Sequence, residues 1–299
     1  MKASILIPAY NASAFLEETL NSCIRQGLEH IHEIIVVDDH SKDDTFRLAS
    51  DFASRHQAFT ISVYHNKRKG ACSARNFALD KATGEAIQWL DADDVLGPEK
   101  LATHLQLLKA HPNSLICSPW VRFVGNVTTS QYPNQSEWSL LPDSFTPLNW
   151  LKEERMMCIH AWLGSKKLYE QIGPWQESLL INQDGEYFAR AISRCETVIF
   201  SRSATVYYRS GLKQSTSSFQ PQKAPSLFAT CQSFEKVALS LGDSREVGVL
   251  ISNKYMDFIY RVYPATPKLR NAAREKIKRF GASYPVQSSS RKHVGKIVS

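Results

Sequence analysis

The sequence predicts an α/β protein: a mostly parallel sheet flanked by helices, followed by a helical C-terminal region. Three observations predict it. Over residues 1–110, short apolar runs alternate with segments of helical period. One of those runs, Glu33-Ile34-Ile35-Val36-Val37, is β-branched and of the kind buried on both faces. The composition then changes near residue 215. Residues 216–299 hold 14 of the chain's 36 Lys and Arg but only 5 of its 29 Asp and Glu, so the whole basic excess lies there.

In chain order, Ser4–Ile7 is an apolar run stopped by Pro8. Asn11 is the expected cap of a helix whose apolar face is Phe15, Leu16, Leu20 and Ile24, with Glu17 and Glu18 early in it. After the run at 33–37, Ser41 or Asp43 caps a helix through Arg55. Thr60–Tyr64 reads as a strand, Ala71–Lys81 as a helix and Ala86–Leu90 as a strand. Pro98 suits the first turn of a helix carrying Leu101, Leu105 and Leu108. Such βαβ alternation forms parallel sheets. From 112 to about 180 the pattern loosens. Gln183–Arg194 reads as a helix, Val198–Phe200 and Thr205–Tyr208 as strands, and the Ser/Gln-rich stretch Lys213–Lys223 as a linker. Helices follow at Ser226–Leu241, Arg245–Val262 and Lys268–Phe280, before a polar, basic end. The expected organisation is one domain over 1–215, divided into halves 1–110 and 111–215, and a helical region 216–299.

The 299 residues, 43% hydrophobic, suffice for a substantial core. No run approaches the ~20 apolar residues of a membrane span, and the opening residues do not read as a signal peptide. The six cysteines are scattered without metal-type spacing, so they read as reduced thiols of a cytoplasmic protein.

In open parallel sheets, ligands bind beyond the carboxyl ends of the strands. Here those ends carry Pro8-Ala9-Tyr10, Asp38-Asp39 and Asp91-Ala92-Asp93-Asp94. That edge therefore gathers a phenol ring and several carboxylates, which repel one another unless a cation or ligand donors lie among them. No GxGxxG and no GxxxxGK[ST] follows the first strand, which argues against a dinucleotide dehydrogenase or a P-loop NTPase. Asp91 and Asp93, two apart, point the same way if the chain there is extended. Two carboxylates on one face suit Mg²⁺ or Mn²⁺; an Asp-x-Asp turn is also an ordinary solvated feature.

"SILIPAYNASAFLEETLNS", "EIIVVDDHSKDDT" and "GACSARNFALDKATGEAIQWLDADD" resemble, in order and spacing, the opening motifs of family two glycosyltransferases. A weaker match runs through "GPWQESLLINQDGEYFAR" to about residue 210. The resemblance implies a GT-A fold with a Rossmann-like sheet, and inverting transfer from a nucleoside-diphosphate sugar, UDP-linked by preference. It places Pro8, Ala9 and Tyr10 against the base and ribose and Asp39 on the base imide N–H. Lys69 would lie near the diphosphate, with Lys67 and Arg68 in a solvated turn. Arg75 of the "ARN" motif would hold a phosphate or base carbonyl, or an ion pair with Asp38 or Asp91. Asp93 would ligate Mn²⁺ or Mg²⁺, and Asp91 would reach the ribose or support the metal. Asp94 would cap the next helix. Asp184 aligns with the family's catalytic base, a role open to a carboxylate whose ordinary pKa is about 3.9.

Three positions depart from the family pattern. Gln183 replaces a Glu, Gly211 stands where many members have a His, and His40 replaces a Gly. His160 and Trp162 are candidate acceptor contacts. The basic C-terminal region is either a solvated face or a peripheral contact with anionic lipid, useful if the acceptor is a lipid-linked glycan; no nucleic-acid motif accompanies it. A nucleotidylyltransferase and a non-catalytic nucleotide-sugar-binding module are the alternative readings.

Overall fold

Strand β1 (Ala3–Ala9) is almost wholly buried and pairs in parallel with a strand on each side. In the computed structural model, which describes residues 1–125, 127, 136–211 and 219–281, the chain packs as two compact units. The first comprises 1–146, 156–177 and 194–213, and the second 147–155, 178–193 and 214–299. The helix over 183–193 therefore belongs to the same unit as the C-terminal helices. Residues 212–218 of the linker region and the basic end 282–299 lie outside the described residues.

The first unit is built on an eight-stranded sheet of order β3-β2-β1-β4-β9-β6-β10-β8. Its strands are β1, β2 (Ile31–Asp38), β3 (Ile61–His65), β4 (Ala86–Trp89), β6 (Leu115–Cys117), β8 (Ser144–Phe145), β9 (Trp162–Ser165) and β10 (Val198–Phe200). The β3-β2-β1-β4 half is parallel throughout. β9 enters antiparallel to both β4 and β6. A second sheet, β5-β11-β7, joins β5 (Val95–Leu96), β11 (Val206–Arg209) and β7 (Trp120–Phe123). Its residues Val95, Val121, Phe123 and Tyr207 form a small core of their own.

Helices α1 (Leu16–Ile24), α2 (Thr45–Arg55), α3 (Ala71–Lys81) and α4 (Lys100–Ala110) alternate with the first strands, as the sequence periods predict. Leu101, Leu105 and Leu108 of α4 are buried. Asn11 does not cap α1. It adopts φ +48 and bridges to the loop after β2, its N–H reaching Ser41 Oγ (2.9 Å) and its Oδ1 accepting from Lys42 N (2.8 Å). Asp43 accepts from the Thr45 N–H at the start of α2 (3.1 Å). The loosely patterned region holds the short elements α5 (Ser136–Ser139), α6 (Pro147–Lys152) and α7 (Lys166–Ile172) between strands of two to four residues.

The second unit contains α6, most of α8 (Gln183–Arg194), α9 (Ala224–Ser240), α10 (Arg245–Val262) and α11 (Pro267–Gly281). The α8 residue Glu186 is buried, gripped by Arg190 (2.8 and 2.9 Å) and by Ser233 Oγ of α9 (2.7 Å). Glu235 of α9 accepts from Tyr255 of α10 (2.5 Å) and Lys276 of α11 (2.8 Å). All six cysteines are buried and free. Among the described residues, no helix is long and apolar enough to cross a membrane.

Candidate active site

The carboxyl ends of β2, β1 and β4 lie side by side. Ala9 is in register with Asp38, the Asp39 N–H bonds Ala9 O (2.7 Å), and the Leu90 N–H bonds Leu6 O (3.0 Å). Tyr10, Asp39 and Asp91 consequently leave the sheet on one edge. Pro8 and Ala9 are backbone of that edge, Ala9 fully covered by the core. Tyr10 is 45% exposed, an unusually bare ring, and the Lys69 ammonium lies 5.6 Å from its centroid.

Asp39 is buried and organises the next loop. Its Oδ1 accepts from Asn66 Nδ2 (2.8 Å) and its two oxygens from Gly70 N–H (2.8 and 3.0 Å). Asn66 also bonds Arg68 O. A carboxylate has about four lone-pair sites, so Asp39 retains acceptor capacity. Gly70 has φ +136 with nothing near the place of a Cβ, a backbone state that glycine adopts without strain. Arg68 pairs with Glu177 on the surface (2.7 Å). Asp38 is buried and takes Ser41 N–H (3.3 Å) and His65 Nδ1 (3.5 Å), a structural use.

Arg75, on α3, resolves the alternatives left by the sequence. It pairs with Asp91 (2.9 Å), not Asp38, and its guanidinium lies 4.6 Å from the Trp175 ring centroid. Its neighbour Asn76 clamps the backbone of Trp175, donating to its carbonyl (3.0 Å) and accepting its N–H (2.7 Å).

Residues 91–94 form a turn, closed by Asp94 N–H on Asp91 O (3.1 Å), instead of continuing β4 as an extended segment. The two carboxylates nonetheless sense each other. Burial, and then the charge of Asp91, push the Asp93 carboxyl up to about 6. Burial and the charges of Asp93 and Asp91 push Asp94 well above the carboxylate range. Three acids thus crowd one turn, with the guanidinium of Arg75 on Asp91 and that of Arg209 on the Asp93 carbonyl, and a hard divalent cation would relieve the repulsion between Asp91 and Asp93. Among the described residues no group of three or more His, Cys, Asp or Glu forms a ready-made cage.

Sequence reasoning missed what holds this turn. Thr19 Oγ1 of α1 reaches the carbonyls of Ala92 (3.0 Å) and Asp94 (2.9 Å). Arg209, on β11, donates from its backbone N–H to Asp94 Oδ1 (2.7 Å) and from Nε to Asp93 O (2.7 Å). Its fork reaches Gly125 O and Glu18, between the rings of Phe15 and Phe123. The available signal was the "Tyr-x-Arg" segment, two residues before Gly211. Gly211 itself has φ +82, so a His there would be strained whatever its chemistry.

His160 and Trp162 do not line a surface. Their residues are 0% and 2% exposed, so neither ring is available to an acceptor. Trp162 is a core side chain of β9, and His160 faces Asp94 at 3.2 Å. Asp94 does not cap the next helix: α4 begins at Lys100 with Glu99 at the cap position, and Asp94 is buried before β5. Asp184 lies in the first turn of α8, in the second unit, beside the gripped Glu186. Gln183 donates to Leu179 O (2.6 Å), a tie that needs an amide or other donor where Glu would have none.

Residues 4–173 match the family model described as Glycosyl transferase family 2. An uncharacterized glycosyltransferase of Rickettsia conorii is 28% identical over 214 residues, covering 69% of this chain and 33% of that protein. The putative teichuronic acid biosynthesis glycosyltransferase TuaG of Bacillus subtilis is 34% identical over 105 residues, covering 35% and 41%. The chain thus spans about a third to two-fifths of these two relatives. The crystal structure of residues 1–349 of Staphylococcus aureus TarS in complex with UDP-GlcNAc superposes with a TM-score of 0.68 at 18% identity, covering 93% of this chain and 88% of that one. That likeness establishes the GT-A architecture. With the family model spanning more than half of the sequence, the chain belongs to glycosyl transferase family 2.

Proposed function

We propose that the chain transfers a sugar, with inversion and metal assistance, from a UDP-sugar to a hydroxyl of a glycan or lipid-linked glycan. The observation that carries this reading is the single sheet edge holding Tyr10, Asp39, the Arg75–Asp91 pair and Asp93. Tyr10 offers a bare aromatic face for a base to stack on. Asp39, an acceptor-only group, suits the imide N3–H of uracil, whereas the ring N3 of cytosine is itself an acceptor. TarS, named a poly(ribitol-phosphate) β-N-acetylglucosaminyltransferase and solved with UDP and UDP-GlcNAc, supports the UDP preference.

Arg75 and Lys69 bring positive charge to the phosphates. Asp93, with Asp91 beside it, would hold Mn²⁺ or Mg²⁺, which when bound neutralises charge on the departing diphosphate. Asp184 accepts the proton of the acceptor hydroxyl as that oxygen bonds the anomeric carbon. The bond from that carbon to the diphosphate oxygen breaks, and the nucleotide leaves with the electron pair. The helices of 216–299 would carry a peripheral contact with anionic lipid, since Lys268, Arg274, Lys278 and Arg279 line exposed positions of α11.

The test is a screen of purified protein against common nucleotide sugars with Mn²⁺, following hydrolysis, transfer and thermal stabilisation. Stabilisation and turnover with a UDP-sugar are expected. Absence of both with every nucleotide sugar would overturn the reading.

A further inference from the structure

Behind the turn 91–94 lies a buried pair that no step above uses. His160 Nδ1 faces Asp94 Oδ2 at 3.2 Å, with side chains 0% and 1% exposed. The approach is close but is not a formed hydrogen bond, and neither atom has a hydrogen-bond partner among the described residues. A buried carboxylate oxygen left without a donor costs more than an ordinary hydrogen bond contributes, and the His160 nitrogen is the polar group that faces it. Asp94's other oxygen takes the Arg209 N–H (2.7 Å). The carboxylate thus lies between β11 and the turn that carries His160, with Thr19 on its main-chain carbonyl (2.9 Å).

The His160 ring is fixed in turn. It belongs to a single 3₁₀ turn, Ile159–Ala161, leading into β9. Its carbonyl accepts from Gln88 Nε2 of β4 (3.0 Å), and its Nε2 lies 3.5 Å from Cys158 Sγ. Gln88 Oε1 is anchored by the buried Lys100 ammonium (2.9 Å). The backbone that carries the ring is therefore tied to β4, the strand that delivers Asp91 and Asp93.

We propose that His160 is a positioning residue: through Asp94 it sets the turn that presents Asp91 and Asp93 to the metal and the diphosphate. This rests on the metal reading of Asp93 given above. Groups that orient metal ligands in this way typically govern affinity by about 10–100-fold.

The test compares the full chain with His160→Ala, His160→Asn and His160→Gln, using Mn²⁺ titration at fixed UDP followed by thermal shift, with UDP alone as control. His160→Ala is expected to need about tenfold more Mn²⁺ for half-saturation, while its response to UDP alone is unchanged. Asn, whose amide nitrogen takes the place of Nδ1, is expected to restore most of the response; Gln, one methylene longer, is not. With a donor sugar, the loss should appear in the Mn²⁺ requirement and the donor KM ahead of kcat at saturating metal. A wild-type Mn²⁺ response in the Ala variant overturns the proposal, as does equal behaviour of the Asn and Gln variants. If Ala fails to fold, the Asn–Gln comparison decides alone. A wild-type protein with no Mn²⁺ response overturns the metal reading itself, and the positioning role falls with it.

Discussion

Arg209 donates from Nε to the main-chain carbonyl of Asp93 at 2.7 Å, while its own N–H holds the Asp94 carboxylate at the same distance. One residue of β11 thus fixes two consecutive acids of the turn after β4. The guanidinium is buried between Phe15 and Phe123 and ends on Glu18. A planar fork spreads its donors over acceptors set apart from one another; the three N–H of an ammonium diverge from one atom and do not span them. Arg209→Lys is therefore expected to destabilise the first unit by about 1–3 kcal/mol, since it strands buried acceptors. Urea denaturation would read this as a lower midpoint at unchanged slope. An unchanged midpoint would show that the fork is not what holds the turn.

The raised Asp93 carboxyl, at about 6, makes a pH prediction with a definite sign. Unfolded Asp releases its proton near 3.9. Between those values the folded chain keeps a proton that the unfolded chain has lost, so this group's contribution to stability falls as pH rises toward and through 6. Metal-free protein should gain stability at this site on acidification from pH 7 to pH 5. Mn²⁺ competes with that proton, so its half-saturating concentration should rise as pH drops below 6. Asp93→Asn should abolish both effects. Melting midpoints at four pH values, with and without Mn²⁺, compare the two proteins; parallel curves for wild type and Asn would sink the assignment.

Much of this fold was legible because its first half repeats a simple physical unit. A short apolar run followed by a helical period recurs from Ser4 to Ala110, and α3 and α8 fall on the residues the sequence indicates. The 112–180 region was opaque for the opposite reason. Its strands are two to four residues long, and β9 runs antiparallel between β4 and β6, too short for a period to show. The site was legible as composition but not as geometry. Asp91 and Asp93 read as neighbours on an extended strand, whereas a turn presents them. His160 and Trp162 read as surface because burial at β9 depends on strands distant in sequence. The role of Arg209 is not legible because its partners, Asp93, Gly125 and Glu18, lie far from it in sequence.

Arg75 joins Asp91 at 2.9 Å and lies over the Trp175 ring. The Asp91 carboxylate is a third exposed while the Arg75 side chain is largely covered, so the pair reaches the edge without being fully solvated. Arg75→Lys keeps the charge but loses the fork and much of the ring stacking. A lost charged hydrogen bond of about 1.5–3 kcal/mol corresponds to roughly 10–100-fold in donor KM, with a smaller effect on unfolding. Steady-state kinetics with varied UDP-sugar measure this. A Lys variant with wild-type KM would place the donor phosphates elsewhere.

Asp184 and Glu186 stand two apart on α8, and Glu186 is committed to structure. Glu186 is buried under a bidentate Arg190 and the Ser233 hydroxyl. Glu186→Gln should cost the second unit about 3 kcal/mol, because it leaves the Arg190 charge against a neutral amide in a covered place. Asp184 opens the helix at partial exposure and is the proposed base. Asp184→Asn is nearly isosteric and cannot accept the acceptor's proton, so kcat should fall about 10²–10⁴-fold. Donor binding should be spared, because Asp184 is assigned to the acceptor hydroxyl and not to the nucleotide. Thermal stabilisation by UDP and Mn²⁺ should therefore match wild type in Asp184→Asn even as turnover collapses, whereas Glu186→Gln should melt earlier with or without nucleotide. An Asp184→Asn enzyme with full kcat would move the base to another carboxylate and leave the donor site untouched.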